Sequence, residues 1–322
     1  MFTDRKVCFR LCLPLLLGIA ALLDFTGCER RAPESHKRPP RPPFIHYTVQ
    51  SYRQTLRILD GLGYSDEAFR RGMKEIPPVV LTKISSRWGE QARNIPVEEK
   101  KSLFLRLLAS GALIADGEVR KEREKLLALL KKMKQGPIAP EESSWLRKLA
   151  LKYRVIGKSD DPLTPKKIEE LVRRVDIVPP SLILAQGAVE SAWGTSRFAV
   201  EGNALFGQWS FSKHAMRPKE QRKQLGDYGL ARFKTPLDSI RAYLLNLNTH
   251  PAYKAFRALR AKMRAEGKPL DGYTLAATLT PYSERGEAYV EELRSIIRAN
   301  HLQWLDRAKL RKMKPIYIHP DR

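Results

Sequence analysis

Between residues 44 and 160 the hydrophobic side chains recur at the spacing of amphipathic helices. This spacing predicts helices over residues 51–62, 97–114, 119–134 and 141–153. Residues 77–82 carry two prolines followed by an apolar and β-branched run, so we expect an extended segment there. The acidic side chains alternate with Lys and Arg, as they do on solvated helix faces. We therefore predict a helical N-terminal domain that serves as a scaffold or positioning unit.

A second helical region follows a change of composition at residues 157–162, which predicts a domain boundary. Thr164 is a good N-cap residue and Pro165 suits the first helical position, so a helix is predicted through Val172. The next helix is predicted to begin at Pro180 and to end at Gly194.

The last turn of that helix contains one ionisable side chain, Glu190, among apolar and small residues. Burial and the negative end of the helix dipole both raise the pKa of such a carboxyl. A raised pKa is what a general acid near neutral pH requires. The alternative is a partly exposed carboxylate that pairs with Arg197. The helix by itself leaves both interpretations open.

The N-terminus has the build of a secretory signal, because basic residues precede an apolar run at residues 11–23 that is short for a membrane span. The run leads into Phe25-Thr26-Gly27-Cys28, which resembles a bacterial lipobox, although Phe25 and the preceding Asp24 depart from its pattern. We expect residues 1–28 to direct export and Cys28 to be lipidated. A plain cleaved signal and an uncleaved anchor are the alternatives.

Residues 29–43 contain five prolines, several arginines and no large apolar side chain, so we predict a Pro/Arg-rich linker. Its first residue is Glu29 rather than Asp, which in a Gram-negative lipoprotein would indicate the outer membrane. The three cysteines of the chain all lie within the first 28 residues, so the remaining sequence has no thiol for disulfides, cysteine catalysis or zinc binding.

The amino-acid composition indicates what kind of molecule the protein binds. There are 59 Lys and Arg residues against 35 Asp and Glu, a formal charge of +24, which favours an anionic partner such as nucleic acid, anionic lipid or cell wall. The excess is spread along the chain and no nucleic-acid motif accompanies it, so nucleic acid is disfavoured. The hydrophobic fraction of 43% excludes wholesale disorder and a polytopic membrane protein.

The chain around Glu190 resembles the glucosaminidase domain of glycoside hydrolase family 73, the mannosyl-glycoprotein endo-β-N-acetylglucosaminidase type. The matching stretches are AQGAVESAWGTSRFA at 185–199, GNALFG at 202–207, ARFKTPLDSIRAY at 231–243 and YSERGEAYVEEL at 282–293. With FGQW at 206–209 and NLNTHPAY at 246–253, the sequence is similar to the Bax subfamily. In this family a helix-borne Glu is the general acid, so the resemblance favours that role for Glu190.

The resemblance implies a mainly α fold with a lysozyme-like catalytic domain at residues 161–300. That domain would consist of a helical lobe and a small β-hairpin lobe with a sugar-binding cleft between them. It would follow the helical N-terminal domain at residues 44–160. Residues 301–322 are expected to be a basic C-terminal extension that packs loosely or lies on anionic polymer.

Glycoside hydrolysis usually uses a second carboxylate, and the hairpin region offers Glu220 and Asp227. The resemblance favours Glu220 as the second catalytic residue, since a Glu opens the family's hairpin shortly before the position of Phe233. Gln221 and Arg222 stand where the family has an aromatic residue, so Glu220 is equally well a loop carboxylate among basic neighbours. If neither carboxylate serves, the acetamido group of the substrate would supply the nucleophile.

The aromatic residues of this region are candidates for sugar contact. The family match predicts Tyr282 as a catalytic residue. Trp209 is favoured as a residue that stacks on a sugar face. Trp193 and Phe206 are candidate substrate-binding residues too, although aromatic side chains in such a domain more often lie in the core.

Two polar residues complete the predicted site. Gln186 and Asn203 are expected to hydrogen-bond the Glu190 carboxyl or the helix end and to bind substrate. The histidines show no metal-binding spacing, and no phosphate loop or nucleophile elbow occurs, so neither a metal nor another cofactor is expected.

The leading functional hypothesis is a peptidoglycan hydrolase, an endo-β-N-acetylglucosaminidase that cleaves the glycan strand with Glu190 as general acid. The alternatives are a lytic transglycosylase on the same scaffold and a non-catalytic peptidoglycan-binding envelope lipoprotein. The expected partners are peptidoglycan glycan strands and the membrane that holds a lipid anchor, without nucleic acid. We expect a monomer that is exported to the periplasm or the outer membrane of a Gram-negative-type bacterium.

Overall fold

The computed structural model describes residues 44–210, 212–218 and 228–321. The fold is mainly α, which confirms the predicted class. The helices are α1 (Tyr52–Gly61), α2 (Asp66–Arg71), α3 (Trp88–Gln91), α4 (Val97–Met133), α5 (Pro140–Lys152), α6 (Pro165–Arg174), α7 (Pro180–Ser191), α8 (Arg197–Gly202), α9 (Pro236–Thr249), α10 (Lys254–Ala265), α11 (Gly272–Ala276) and α12 (Glu287–Ala299). The strands are β1 (Ile45–Val49), β2 (Glu75–Ile76), β3 (Val79–Leu81), β4 (Trp209–Ser210), β5 (Gly229–Leu230), β6 (Lys309–Leu310) and β7 (Ile316–Pro320). Short 3₁₀ helices occupy Pro251–Tyr253, Thr280–Tyr282 and Leu302–Arg307.

Side-chain caps fix where several helices begin. The residues before α1, α2, α6, α8 and α9 each accept a hydrogen bond from a main-chain N–H of the first turn, and they are Ser51, Ser65, Thr164, Ser196 and Thr235. Proline at the first position of α6 and α9 removes an N–H that would otherwise need a partner. The helix predicted from Thr164 is therefore confirmed.

The 37-residue helix α4 runs without interruption where two helices, separated near residue 117, were expected. The expectation of a break was wrong, since Gly117 is helical and the neighbouring Asp116 is buried. A glycine inside a helix lowers the stability of the helix by about 1 kcal/mol relative to alanine. The free energy gained by burying the surrounding turns is larger. Gly111 lets α9 approach α4 closely, because a Cβ there would lie 2.6 Å from Cδ1 of Ile240.

A parallel three-stranded sheet joins the two ends of the described chain, with β7 between β1 and β3. Ile316 pairs with Ile45 on one side and with Val79 on the other. Residues 301–322 were expected to pack loosely or to lie on anionic polymer. Instead, Ile316 and Ile318 are fully buried in the sheet. Their alternating burial is that of a strand with one face on a core. Two short pairs complete the strands, β2 with β6 and β4 with β5.

Within the part of the chain that the structure describes, the apolar side chains form two buried clusters. The larger one extends from β1 and α1 through α4, α7, α9 and α12 to β7, and so it takes residues from both sides of position 160. The smaller one joins the C-terminal half of α4 to α5 and α6. The boundary predicted near residue 160 therefore does not coincide with a gap in the core.

None of the helices in the described ranges is both long and apolar enough to cross a membrane. The predicted export signal, its lipidation residue Cys28 and the linker at 29–43 lie outside the described residues.

Candidate active site

The helix that carries Glu190 is capped from a distant part of the chain. No side chain of its own caps α7, which begins with proline at its first position. Asp306 supplies the cap, since its carboxylate accepts hydrogen bonds from the Ser181 N–H (2.9 Å), the Ser181 hydroxyl (2.8 Å) and the Gly272 N–H (3.0 Å). Burial of this carboxyl raises its pKa to about 6. Asp306, in the 3₁₀ helix Leu302–Arg307, thus caps the first turns of both α7 and α11.

The end of α7 is a sharp left-handed turn. The helix stops at Ser191, three residues before the predicted end at Gly194, because Ala192, Trp193 and Gly194 have φ angles of 50°, 59° and 79°. Non-glycine residues rarely adopt this conformation. The Ser191 hydroxyl accepts a hydrogen bond from the Gly194 N–H at 2.8 Å and so holds the turn. Glu190 consequently sits in the last helical turn, next to a hydrogen-bonded reversal of the chain.

The Glu190 carboxyl is half-buried and accepts a hydrogen bond on Oε1 from the hydroxyl of Tyr289, at 2.8 Å. Burial raises the pKa of Glu190, and the Tyr289 hydrogen bond acts in the opposite direction. More weakly, the negative charge of Glu292 raises this pKa and the positive charge of Arg285 lowers it. The net direction is upward, as the sequence predicts.

The other carboxyl oxygen of Glu190 faces the main chain of Gly207. A Cβ at that position would lie 3.3 Å from Oε2 of Glu190, and Gly207 has a φ of +61°. Both the close approach and the left-handed backbone favour glycine. The loop before β4 therefore passes directly beside the carboxyl.

Behind Tyr289 lies a buried polar chain. The side-chain amide of Gln186 donates to the Tyr289 hydroxyl oxygen at 2.9 Å, and its carbonyl accepts the hydroxyl of Tyr243. Gln186 and Tyr243 are completely buried, and burial raises the pKa of the Tyr243 phenol well above its usual range. Gln186, which was predicted to contact the carboxyl or the helix end, reaches Glu190 through Tyr289.

Tyr282 packs against Tyr289, the hydrogen-bond partner of Glu190, and does not itself bond to the Glu190 carboxyl. Its hydroxyl donates to the Phe206 carbonyl at 2.9 Å, and its ring is parallel to that of Tyr289, with centroids 5.7 Å apart. Phe206 is buried and stacks on Tyr243 at 4.1 Å, so its ring is a core residue. Tyr282 thereby holds the loop that approaches Glu190.

Two predicted substrate-binding residues are engaged with protein groups. The Trp193 ring packs edge-on against Phe104 of α4, with centroids 5.8 Å apart. The Asn203 side chain accepts from the Ile84 N–H at 2.9 Å and donates to the Phe233 carbonyl at 3.1 Å. Both side chains therefore connect this region to neighbouring parts of the fold.

Trp209 is the predicted sugar platform that remains open. It is 56% exposed on β4, and its ring stacks on Tyr228 at 5.0 Å. The predicted second carboxylate Glu220 and its alternative Asp227 lie outside the described residues. Within the described ranges, no three His, Cys, Asp or Glu side chains form a group that could hold a metal ion.

Comparison with known proteins identifies the family. Residues 166–302 match the glucosaminidase family, described as mannosyl-glycoprotein endo-beta-N-acetylglucosaminidase. The chain is also 31% identical over 201 residues to Protein bax of Escherichia coli (strain K12), which covers 62% of this chain and 70% of that protein. The chain belongs to the Bax protein family. No solved structure matches it.

In this Bax-family chain the matched domain begins just inside α6 and ends just after α12, so it contains Glu190, Trp209, Tyr243 and Tyr289. The match confirms the predicted lysozyme-like glucosaminidase domain and assigns residues 166–302 to a glycosidase family. The parallel sheet of β1, β3 and β7 lies outside the matched range.

Sequence reasoning singled out Tyr282 and missed Tyr289, the residue of the same Bax-family segment that contacts Glu190. A signal for Tyr289 was present. It shares the buried stripe of α12 with Leu293 and Ile297, four and eight residues further on. A phenol on the inward face of a helix needs a hydrogen-bond partner, which an unpaired carboxyl in the same domain can supply.

Proposed function

We propose that this protein is an endo-β-N-acetylglucosaminidase that cleaves the glycan strands of peptidoglycan, with Glu190 as the general acid. The observation that carries the proposal is the half-buried Glu190 carboxyl, which has a raised pKa and holds the Tyr289 hydroxyl on one oxygen. A carboxyl of this kind keeps its proton to higher pH than an exposed glutamic acid does. The glucosaminidase family match supports a glycosidase and peptidoglycan as the substrate class.

In the proposed reaction the Glu190 proton moves to the glycosidic oxygen while the electron pair of the C1–O bond passes to that same oxygen. The Tyr289 hydroxyl then stabilises the carboxylate that remains. Water adds its oxygen to C1, and the proton that water loses restores Glu190, so a new reducing end is formed. Glu220, Asp227 and the acetamido group of the substrate are the candidates for the group that stabilises C1 before water attacks.

Because the acid must be protonated, the rate is expected to fall as the pH rises through the pKa of Glu190. Burial raises this pKa, so the falling limb of the pH–rate profile should lie above the range of an exposed glutamic acid. A profile that falls in the range of an exposed glutamic acid would contradict the role of Glu190.

The decisive experiment compares Glu190→Gln with wild type on purified sacculi and measures release of reducing N-acetylglucosamine ends. We expect the variant to lose at least about a thousandfold in rate while circular dichroism shows a folded protein. Glu266→Gln, which changes an exposed carboxylate beyond the end of α10, is the matched control and should retain full activity. Undiminished activity of Glu190→Gln would refute the proposal.

The products distinguish the alternatives. Anhydro sugar ends in the mass spectrum of the fragments would identify a lytic transglycosylase. Binding to sacculi without soluble fragments would identify a non-catalytic wall-binding protein.

The net charge of +24 supports an anionic polymer as the partner, because a cationic enzyme is concentrated near it and released by salt. We further propose that the protein is a monomer, exported and anchored by a lipid on Cys28 to the envelope. Metabolic lipid labelling that is lost in Cys28→Ala would support the anchor, and light scattering would measure the oligomeric state.

A further inference from the structure

The hydrogen-bond chain behind Glu190 has a direction, and that direction has a chemical consequence that rests on the proposed function. We propose that Tyr243, Gln186 and Tyr289 form a one-way hydrogen-bond chain that makes Oε1 of Glu190 an obligate acceptor and so presents the transferable proton on Oε2. Tyr243 and Gln186 are then positioning residues that act through Tyr289.

The direction is set at the buried end of the chain. Tyr243 is completely buried, and the acceptor that the structure gives its hydroxyl is the carbonyl of Gln186. With its carbonyl turned to Tyr243, the Gln186 side chain has its amide N–H directed at the Tyr289 oxygen. The reverse orientation of the amide would leave the buried Tyr243 proton without this acceptor, which is unfavourable.

Tyr289 transmits the direction to the carboxyl. A phenol has one proton, and its oxygen already accepts the Gln186 N–H at 2.9 Å. Its proton is therefore donated to Oε1 of Glu190, at 2.8 Å. In a neutral carboxyl the carbonyl oxygen is the better acceptor, so the donation from Tyr289 favours Oε1 as the carbonyl oxygen and places the proton on Oε2.

The surroundings of Oε2 fit delivery of a proton to a substrate. This oxygen lies beside Gly207, where a side chain would come within 3.3 Å of it. The loop there is held by the hydroxyl of Tyr282 on the Phe206 carbonyl, and it leads directly into the exposed Trp209. Because Tyr282 stacks on Tyr289, one group of tyrosines positions both the carboxyl and the loop beside it.

The sign of the change in the Glu190 pKa on Tyr289→Phe tests the direction of the hydrogen bond between these two residues. If Tyr289 donates to Glu190, its hydroxyl favours the charged carboxylate, and Tyr289→Phe raises the pKa of Glu190. If Glu190 instead donates to Tyr289, the hydroxyl favours the neutral acid, and the same variant lowers that pKa. We expect an upward shift of about one unit in Tyr289→Phe and a smaller upward shift in Tyr243→Phe.

The experiment titrates the ¹³C-labelled Glu190 carboxyl by NMR, assigned with Glu190→Gln, and records pH–rate profiles on sacculi. Tyr289→Phe should lower kcat about tenfold, leave KM within about twofold and move the alkaline limb upward with the NMR value. Tyr64→Phe is the matched control, since it removes an equally buried hydroxyl, bonded to the Arg106 carbonyl at 2.8 Å, and should leave the Glu190 titration unchanged.

The double variant Tyr243→Phe/Tyr289→Phe separates positioning from a merely structural role. If Tyr243 acts through Tyr289, the Glu190 pKa of the double variant equals that of Tyr289→Phe alone. Additive shifts, a downward shift, or no shift in either single variant would overturn the proposal. The NMR titration needs no turnover, so an inactive wild type would refute the proposed function while the direction of the chain is still decided.

Discussion

Replacing Asp306 by alanine should weaken the fold strongly, although this residue lies more than a hundred positions beyond the helix that it caps. The substitution leaves the main-chain N–H groups of Ser181 and Gly272 without their acceptor. A buried donor without a partner costs about 1–3 kcal/mol, so the two groups together give about 2–6 kcal/mol. The Ser181 hydroxyl also loses its bond, but it can rotate towards another acceptor.

The pH dependence of this loss has a definite sign. The folded pKa of Asp306 is about 6 and its ordinary value is 3.8. Below pH 6 the folded protein binds a proton that the unfolded chain still lacks, so the contribution of Asp306 to stability rises as the pH falls towards 4. From pH 7 to pH 5 this gain is about 1 kcal/mol, so Asp306→Ala should show a larger deficit at pH 5 than at pH 7.

Urea denaturation at pH 7 and pH 5, followed by circular dichroism, measures both quantities. The control is Asp271→Ala, which removes a more conventional cap whose carboxylate accepts the N–H groups of Tyr273 and Thr274 at 3.1 Å. That cap should be worth about 0.5–2 kcal/mol. The reasoning is refuted if Asp306→Ala costs no more than Asp271→Ala, or if its deficit shrinks between pH 7 and pH 5.

Three further predictions concern packing, binding and the sheet. Gly187→Ala should destabilise the protein by about 1–3 kcal/mol in urea denaturation, because its Cβ would lie 2.6 Å from Cδ2 of Leu108; an unchanged midpoint would contradict the close packing of α7 on α4. Trp209→Ala should weaken binding of soluble glycan fragments about tenfold in calorimetry with an unchanged Tm, whereas equal affinity would remove this residue from the site. Deletion of residues 316–321 should abolish cooperative unfolding, and a truncated chain that still unfolds cooperatively would show that β7 is dispensable.

The local features of the site could be predicted from the sequence, and the features set by distant contacts could not. The helix around Glu190 and the raised pKa of its carboxyl follow from an apolar run that contains a single ionisable group. The bond from Tyr289 joins residues 99 positions apart, and no local pattern specifies such a pair. The left-handed Ala192 was missed for the same reason, since local propensity places that conformation at Gly194.

In the N-terminal half, the helices whose limits are set by local sequence were predicted well. The elements whose limits are set by tertiary packing were predicted less well. Capped, amphipathic α1 and α5 are present close to their expected limits. The break expected between residues 114 and 119 is absent, because the burial of the surrounding turns of α4 outweighs the cost of a glycine within a helix. The strand β7 was not predicted, because only Ile316 and Ile318 carry the alternating pattern of a strand and basic residues precede them.

The central position of β7 has a consequence for the order of folding during synthesis. Ile45 and its partner Ile316 are about 270 residues apart, and closing a loop of that length costs about 5 kcal/mol of chain entropy. At a ribosomal rate of roughly 5–20 residues per second, β1 and β3 wait about 15–50 seconds for the strand that separates them. During this interval the three-stranded sheet remains incomplete. The edges of β1 and β3 that pair with β7 therefore stay open until residues 316–320 have been synthesised.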